Sequence, residues 1–202
     1  KPTKWSFPTG VKIAAHDYLV VFASGRDEFK NGKVHTDFKL NQTEQKDYVI
    51  LSKPDKSLVD KIKLPITQVE QSVCRAMDGG AAWVYSTIAT PGANNQSTEG
   101  YQFSAYSAKP QVTVTSGNFD NTVVVRLLNS FPANVKVRYT LNGYAPSNNS
   151  AIFPDSLVIP ATAVLKLIAF DDDTTIFHSF CEFNTYFINE ELAYLIGLTL
   201  TD

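Results

Sequence analysis

A chain of 202 residues, of which 44% are hydrophobic and 19% charged, can form one large or two small domains and is too apolar for a disordered segment. Its net charge is -2, and its basic residues are scattered among acidic ones, which excludes an extended nucleic-acid-binding face. Its apolar runs are far shorter than a membrane-spanning helix. We therefore expect neither nucleic-acid binding nor membrane insertion.

Segments typical of strands dominate the first half of the chain. Each combines β-branched or aromatic residues with turn-forming residues at its ends: 11–14, 18–23, 48–51 and 57–64. His16-Asp17 separates the first two segments, and Pro54-Asp55-Lys56 separates the last two. This pattern predicts two pairs of short strands joined by turns.

The second half shows the same pattern more strongly. Residues 122–128 form a near-continuous apolar run, which predicts a strand buried on both faces. Residues 135–141 are rich in β-branched residues, and Asn142-Gly143 directly after them is the strongest hairpin signal. Helical composition is confined to residues 189–195. We therefore predict an all-β protein with two immunoglobulin-like β-sandwich domains in tandem.

Composition also divides the chain. Residues 94–110 are rich in Asn, Ser, Gly and Ala, which is typical of a linker. We predict a first β-sandwich over residues 1–95, a linker over 96–109 and a second, immunoglobulin-like β-sandwich over 110–188. Residues 189–202 then form the start of a further, truncated region.

An ordered set of landmarks runs through the first half: Trp5-Ser6-Phe7-Pro8, Tyr18-Leu19-Val20-Val21, His35-Thr36-Asp37-Phe38-Lys39-Leu40, Arg75, Asp78-Gly79, Trp83 and Thr90-Pro91-Gly92-Ala93-Asn94. In order and spacing they resemble the bacterial lamin-tail domain, which implies a small sandwich. We expect its core to contain the large aromatic side chains of Trp5, Phe7, Phe38 and Trp83. Lamin-tail domains open with strands before the Trp-x-Phe-Pro segment, whereas this chain begins almost on it. We therefore expect an incomplete first sandwich whose open edge pairs with a neighbouring chain or with missing N-terminal strands.

A second set of landmarks begins with Arg138-Tyr139-Thr140-Leu141-Asn142-Gly143-Tyr144-Ala145-Pro146 and continues through Leu157-Val158-Ile159 to Ser179. It resembles the C-terminal immunoglobulin-like domain of chitobiases and β-hexosaminidases. At the turn, Asn142-Gly143 stands where that family usually has Asp-Gly, which keeps the turn chemistry.

The end of the chain carries a third resemblance. Residues 185–190 and 196–202 are similar to the entry into a CotH-type domain, which has an atypical kinase-like fold. Because only the entry is present, the resemblance implies no kinase activity for this chain.

No catalytic motif is present in the sequence. Ser24, His35 and Asp37 are residue types of a catalytic triad, but nothing in their spacing requires the triad geometry. The carboxylates of residues 171–173 are consecutive and point in different directions, which favours a solvated turn over a metal site. Cys74 and Cys181 are expected to be buried thiols. We expect no catalytic residues, no metal and no cofactor.

Carbohydrate is the best candidate ligand because sugar faces stack on exposed aromatic rings. Tyr144, at the predicted hairpin tip, is the candidate ligand-binding residue, followed by Tyr101 and Tyr106. In the alternative interpretation Tyr144 covers its own hairpin and the other two tyrosines pack between the domains.

Together these observations predict non-catalytic recognition or spacer modules of a bacterial cell-envelope or secreted protein. Such modules would position a downstream CotH-like domain and bind a glycan or a surface protein. The alternative is an accessory module of a glycan-degrading enzyme whose catalytic domain lies elsewhere in the parent chain.

Overall fold

The computed structural model describes residues 4–41, 43–95 and 100–190, and every regular element within these ranges is a β-strand. This confirms the predicted all-β fold class. The chain divides into two compact units, with the boundary between Phe103 and Ser104. The helix predicted over 189–195 and the CotH-like region over 189–202 lie almost wholly outside the described residues.

The first unit contains short strands: β1 (Val21–Phe22), β2 (Glu28–Lys30), β3 (Lys33–His35), β4 (Tyr48–Ser52), β5 (Leu58–Lys63), β6 (Ser72–Arg75), β7 (Trp83–Ser86) and β8 (Gln102–Phe103). They form three separate sheets with the orders β1-β3-β2, β4-β5 and β6-β7-β8. Strand β1 runs parallel to β3, and the other pairs are antiparallel.

The core of the first unit is small. Among its described hydrophobic residues only Val34, Leu64 and Phe103 are buried. The aromatic core expected from the lamin-tail resemblance is only partly formed, since Phe7 is 46% exposed and Trp83 is 38% exposed. The sheets are too short and too separate to cover these rings, so much apolar surface stays in contact with water.

The second unit contains β9 (Ala105–Tyr106), β10 (Gly117–Phe119), β11 (Val123–Val125), β12 (Val135–Thr140), β13 (Ala151–Ile152), β14 (Leu157–Ile159), β15 (Ala163–Asp171), β16 (Ile176–Phe177) and β17 (Glu182–Ile188). Its main sheet has five strands in the order β10-β17-β15-β12-β13, with β10 parallel to β17. Two smaller sheets pair β11 with β14 and β9 with β16.

One continuous core fills the second unit. It combines residues of the five-stranded sheet, such as Leu165 and Tyr186, with residues of the β11–β14 sheet, such as Val125 and Ile159, and all four are fully buried. Side chains alternate along β17 because successive residues of a strand face opposite sides, so Tyr186 is buried while Phe187 is exposed. Two sheets that share one core form a sandwich.

The run 122–128 is not buried on both faces, which corrects the prediction from its apolar sequence. Val123 and Val125 face the core, whereas Val124 is 40% and Leu128 is 64% exposed. Strand β11 belongs to a two-stranded sheet whose outer side faces solvent, so only alternate residues reach the core.

The stretch predicted as a linker, residues 96–109, contributes strands to both units in the part that the structure describes. Strand β8 pairs with β7 of the first unit, and β9 pairs in parallel with β16 of the second unit. The domain boundaries at residues 95 and 110 stay a prediction. Within the described ranges, no residue belongs to a helix with the length and hydropathy needed to span a bilayer.

Candidate functional site

Tyr144 lies in the connection between β12 and β13 and is 76% exposed. This connection spans residues 141–150, so Asn142-Gly143 makes a local turn and not the two-residue hairpin that its sequence predicts. Gly143 has a φ of 79°, and the Tyr144 amide donates to Asn142 Oδ1 over 3.1 Å. The ring of Tyr144 is thus accessible to a ligand, and its role stays a prediction.

The other two candidate tyrosines differ in their surroundings. Tyr101 is 53% exposed. Tyr106 packs within the second unit against Phe180 and Phe177, with ring centroids 4.8 Å and 6.3 Å away. Tyr106 therefore stabilises the β9–β16 region, because aromatic pairs at these distances attract each other.

Two of the three residues considered for a triad do come together. The Ser24 hydroxyl lies 2.9 Å from His35 Nδ1, and the His35 ring stacks on Phe22 with centroids 4.9 Å apart. Among the described residues, Asp37 makes no hydrogen bond to His35 or Ser24. A triad needs a third group that orients the base, so this pair has a structural explanation in the packing of β1 on β3.

The acidic turn after β15 is internally satisfied. Asp171 Oδ1 accepts hydrogen bonds from Asn134 Nδ2 over 2.8 Å and from the Asp173 amide over 2.9 Å. The amide and hydroxyl of Thr175 donate to Asp173 and lower the pKa of its carboxyl. Within residues 4–41, 43–95 and 100–190, no group of three or more His, Cys, Asp or Glu residues could hold a metal ion.

Both cysteines are free thiols of intermediate exposure. Burial raises the pKa of Cys74 and of Cys181, so each is less reactive than an exposed thiol at neutral pH. This environment suits small, partly buried hydrophobic residues better than nucleophiles.

An open cleft of about 710 Å³ lies in the first unit, and sequence reasoning did not find it. Its lining comes from three separate segments and includes His16, Asp17, Tyr18, Arg75, Asp78 and Asn95. The sequence signals at these positions were turn signals, His16-Asp17 and Asp78-Gly79, and nothing in them indicates that the turns meet. This volume lies within the range of small-molecule binding sites.

Hydrogen bonds within and between these segments hold the residues that line the cleft. The Tyr18 hydroxyl donates to Asp78 Oδ2, and the Asn95 amide donates to Asp78 Oδ1 over 3.1 Å. The Thr90 hydroxyl donates to Asn95 Oδ1 over 2.7 Å. The hydrogen bond to Asp78 is the main reason that the pKa of Tyr18 is raised.

Arg75 forms one wall of the cleft and is held on three sides. Its Nη2 lies 2.6 Å from Asp60 Oδ1, and its Nη1 donates to the Ala81 carbonyl over 2.7 Å. The guanidinium lies 4.0 Å from the centroid of the Trp83 ring. The hydrogen bond from Arg75 lowers the pKa of Asp60. The charge of Arg75 is thus already neutralised by Asp60, and its side chain has a structural role.

Comparison with protein families decides what the second unit resembles. Residues 105–176 match the family model of the chitobiase/beta-hexosaminidase C-terminal domain. The match begins at β9 and ends in β16, and it covers less than half of the chain. It confirms the resemblance drawn from residues 138–146. No curated protein and no solved structure gives a significant match.

Domains of the chitobiase C-terminal type are non-catalytic accessory modules. The lamin-tail and CotH resemblances have no matching family model and stay predictions.

Proposed function

We propose that this chain is a non-catalytic segment of a bacterial secreted or cell-envelope protein, in which it serves recognition and spacing. The observation that carries this proposal is the family match over residues 105–176, since that family provides accessory modules of glycosidases. The complete core of the second unit supports it further, because a rigid sandwich can hold neighbouring domains at a fixed distance.

The lamin-tail resemblance of the first domain and the CotH-like entry extend the proposal. In this arrangement a lamin-tail-like domain over residues 1–95 and a chitobiase-type domain over 110–188 position a downstream CotH-like domain. The exposed apolar residues of the first unit support pairing of its sheets with strands of the parent protein or a neighbouring chain. A glycan or a surface protein is the proposed binding partner.

The second candidate function is an accessory module of a glycan-degrading enzyme, and the family match favours it specifically. The two functions differ in the domain that accompanies these modules. Sequencing the parent reading frame beyond Asp202 distinguishes them. A kinase-like domain there supports the first function, and a barrel-type glycoside hydrolase supports the second.

Recognition through Tyr144 is tested with a glycan array. If its 76% exposed ring stacks on a sugar, Tyr144→Ala loses binding while Tyr144→Phe retains it, since phenylalanine keeps the aromatic face. Equal binding by wild type and Tyr144→Ala would remove this residue from the proposal.

The non-catalytic role has a separate test. We expect no turnover of fluorogenic glycosides by the purified chain. Hydrolysis that survives repurification and is lost in Ser24→Ala would overturn the role, because Ser24 is the hydroxyl placed beside a histidine.

A further inference from the structure

We propose that the open cleft of the first unit binds a segment of a neutral glycan. This assigns a site that does not involve Tyr144 and lies in the other unit. The proposal rests on the proposed recognition of a glycan and deepens it, because it gives the first unit a binding site of its own.

The chemistry of the lining suits sugar hydroxyl groups. Each hydroxyl both donates and accepts, so it pairs well with a mixture of carboxylate, imidazole and amide groups. Asp17 and Asp78 supply carboxylates, His16 an imidazole and Asn94 an amide. Tyr18 adds an aromatic ring that is 41% exposed, against which the apolar face of a pyranose can pack.

The polar groups of the cleft are held in place before any ligand arrives. Asp78 is fixed from two directions by Tyr18 and Asn95, and the Tyr18 amide donates to Asp17 Oδ1 over 2.8 Å. Gly79 turns the chain beside Asp78 with a φ of 71°. A site whose side chains are already oriented loses less conformational entropy on binding.

Charged ligands fit this cleft poorly. A metal ion needs several ligands that converge on one point, and among the described residues no group of three or more His, Cys, Asp or Glu residues could hold one. An anion would meet the carboxylates of Asp17 and Asp78, and the guanidinium of Arg75 is already paired with Asp60. A neutral polyhydroxyl ligand avoids both problems.

The test is an NMR titration of the full chain, labelled with ¹⁵N, with cellohexaose, chitohexaose and mannohexaose in turn. We expect at least one of these oligosaccharides to shift the backbone amides of Tyr18, Gly79 and Asn95. Tyr18→Ala should weaken this binding about tenfold, because it removes the stacking face and the hydroxyl that holds Asp78. Tyr101→Ala removes an exposed tyrosine of the same unit that does not line the cleft and should leave binding unchanged.

Asp17→Ala provides a second variant, because Asp17 is exposed and accepts a hydrogen bond from the neighbouring Tyr18 amide, so its loss should not disturb folding. It should also weaken binding. The proposal is overturned if none of the three oligosaccharides shifts the cleft amides at millimolar concentration, or if both variants bind like wild type. Shifts confined to residues around Tyr144 would likewise overturn it while supporting recognition by the second unit.

Discussion

The hydroxyl of Tyr186 donates a hydrogen bond to the backbone carbonyl of Val114, 2.6 Å away, inside the core of the second unit. Tyr186 is fully buried and lies on β17, whereas Val114 precedes β10. The bond therefore ties the segment that enters the main sheet to the last strand of that sheet. Burial raises the pKa of Tyr186 to about 12.

Tyr186→Phe should destabilise the second unit by about 0.5–1.5 kcal/mol, because the partly buried Val114 carbonyl loses this hydrogen bond. The wild type should also lose stability as the pH rises from about 10 to about 12, since the unfolded tyrosine ionises first. Urea unfolding followed by methyl NMR of Leu165 measures both effects. Tyr144→Phe is the control, and an identical pH dependence in Tyr186→Phe and wild type would contradict this assignment.

Because side chains alternate along the strands, substitutions at two hydrophobic positions should differ widely in their cost to the free energy of unfolding. Leu165 of β15 is fully buried, whereas Phe183 of β17 is 63% exposed. Leu165→Ala should cost about 2–5 kcal/mol through lost burial and a residual cavity. Phe183→Ser should change the free energy of unfolding by no more than about 0.5 kcal/mol. Denaturant unfolding of both variants checks this, and similar losses in the two would show that Phe183 is covered in solution.

Ser179 lies in the connection between β16 and β17 and forms a hydrogen bond with β15 of the main sheet. It is fully buried, its hydroxyl accepts a hydrogen bond from the Ala169 amide over 2.9 Å, and it donates to the Phe180 carbonyl over 2.9 Å. Ser179→Ala should cost about 1–3 kcal/mol because the buried Ala169 amide loses its acceptor. Amide hydrogen exchange at Ala169 should become faster. Ser104→Ala, which removes an exposed hydroxyl, is the control and should leave that exchange rate unchanged.

Arg75→Lys should destabilise the first unit by about 1 kcal/mol, since lysine keeps the charge but loses the planar contact with Trp83 and the bond to the Ala81 carbonyl. Unfolding is followed by tryptophan fluorescence. Arg26→Lys is the matched control, because Arg26 only approaches Glu28 at 3.7 Å on the surface. Equal free energies of unfolding for Arg75→Lys and Arg26→Lys would mean that the contacts of Arg75 do not stabilise the first unit.

The ion pair between Arg75 and Asp60 predicts a loss of stability in acid. Arg75 lowers the pKa of Asp60 below its usual value of 3.8, so the ion pair stabilises the fold above about pH 4 and this contribution is lost as the pH falls further. Asp60→Asn should remove this part of the acid dependence. The free energy of unfolding of the wild type and of Asp60→Asn is measured between neutral and acidic pH. The same pH dependence in both proteins would contradict this prediction.

Local sequence signals were enough to predict single strands of the second unit. The β-branched residues of 135–141 predicted a strand where β12 forms, because such signals depend only on neighbouring residues. The face of Val124 could not be predicted, since an apolar run does not reveal that its sheet has only two strands. The turn at Asn142-Gly143 was correctly recognised, but its connection to β13 is longer than a hairpin turn.

The candidate site could be found only in the folded structure and not from the sequence. Tyr18, Asp78 and Asn95 are far apart in sequence, and only packing of their segments gathers them around one cleft. The contact of Ser24 with His35 likewise follows from the parallel register of β1 and β3, in which Phe22 pairs with His35. Such registers are set by tertiary contacts, which no local pattern contains.

The parallel pairing of β10 with β17 has a mechanical consequence. Gly117, Asn118 and Phe119 pair with Tyr186, Phe187 and Ile188. Tension applied between Gly117 and Ile188 pulls the two strands in opposite directions along their own axes. Their backbone bonds then resist together in shear, whereas a hairpin under the same force opens one bond after another. The second unit should therefore resist tension along this strand pair better than a hairpin of equal length would.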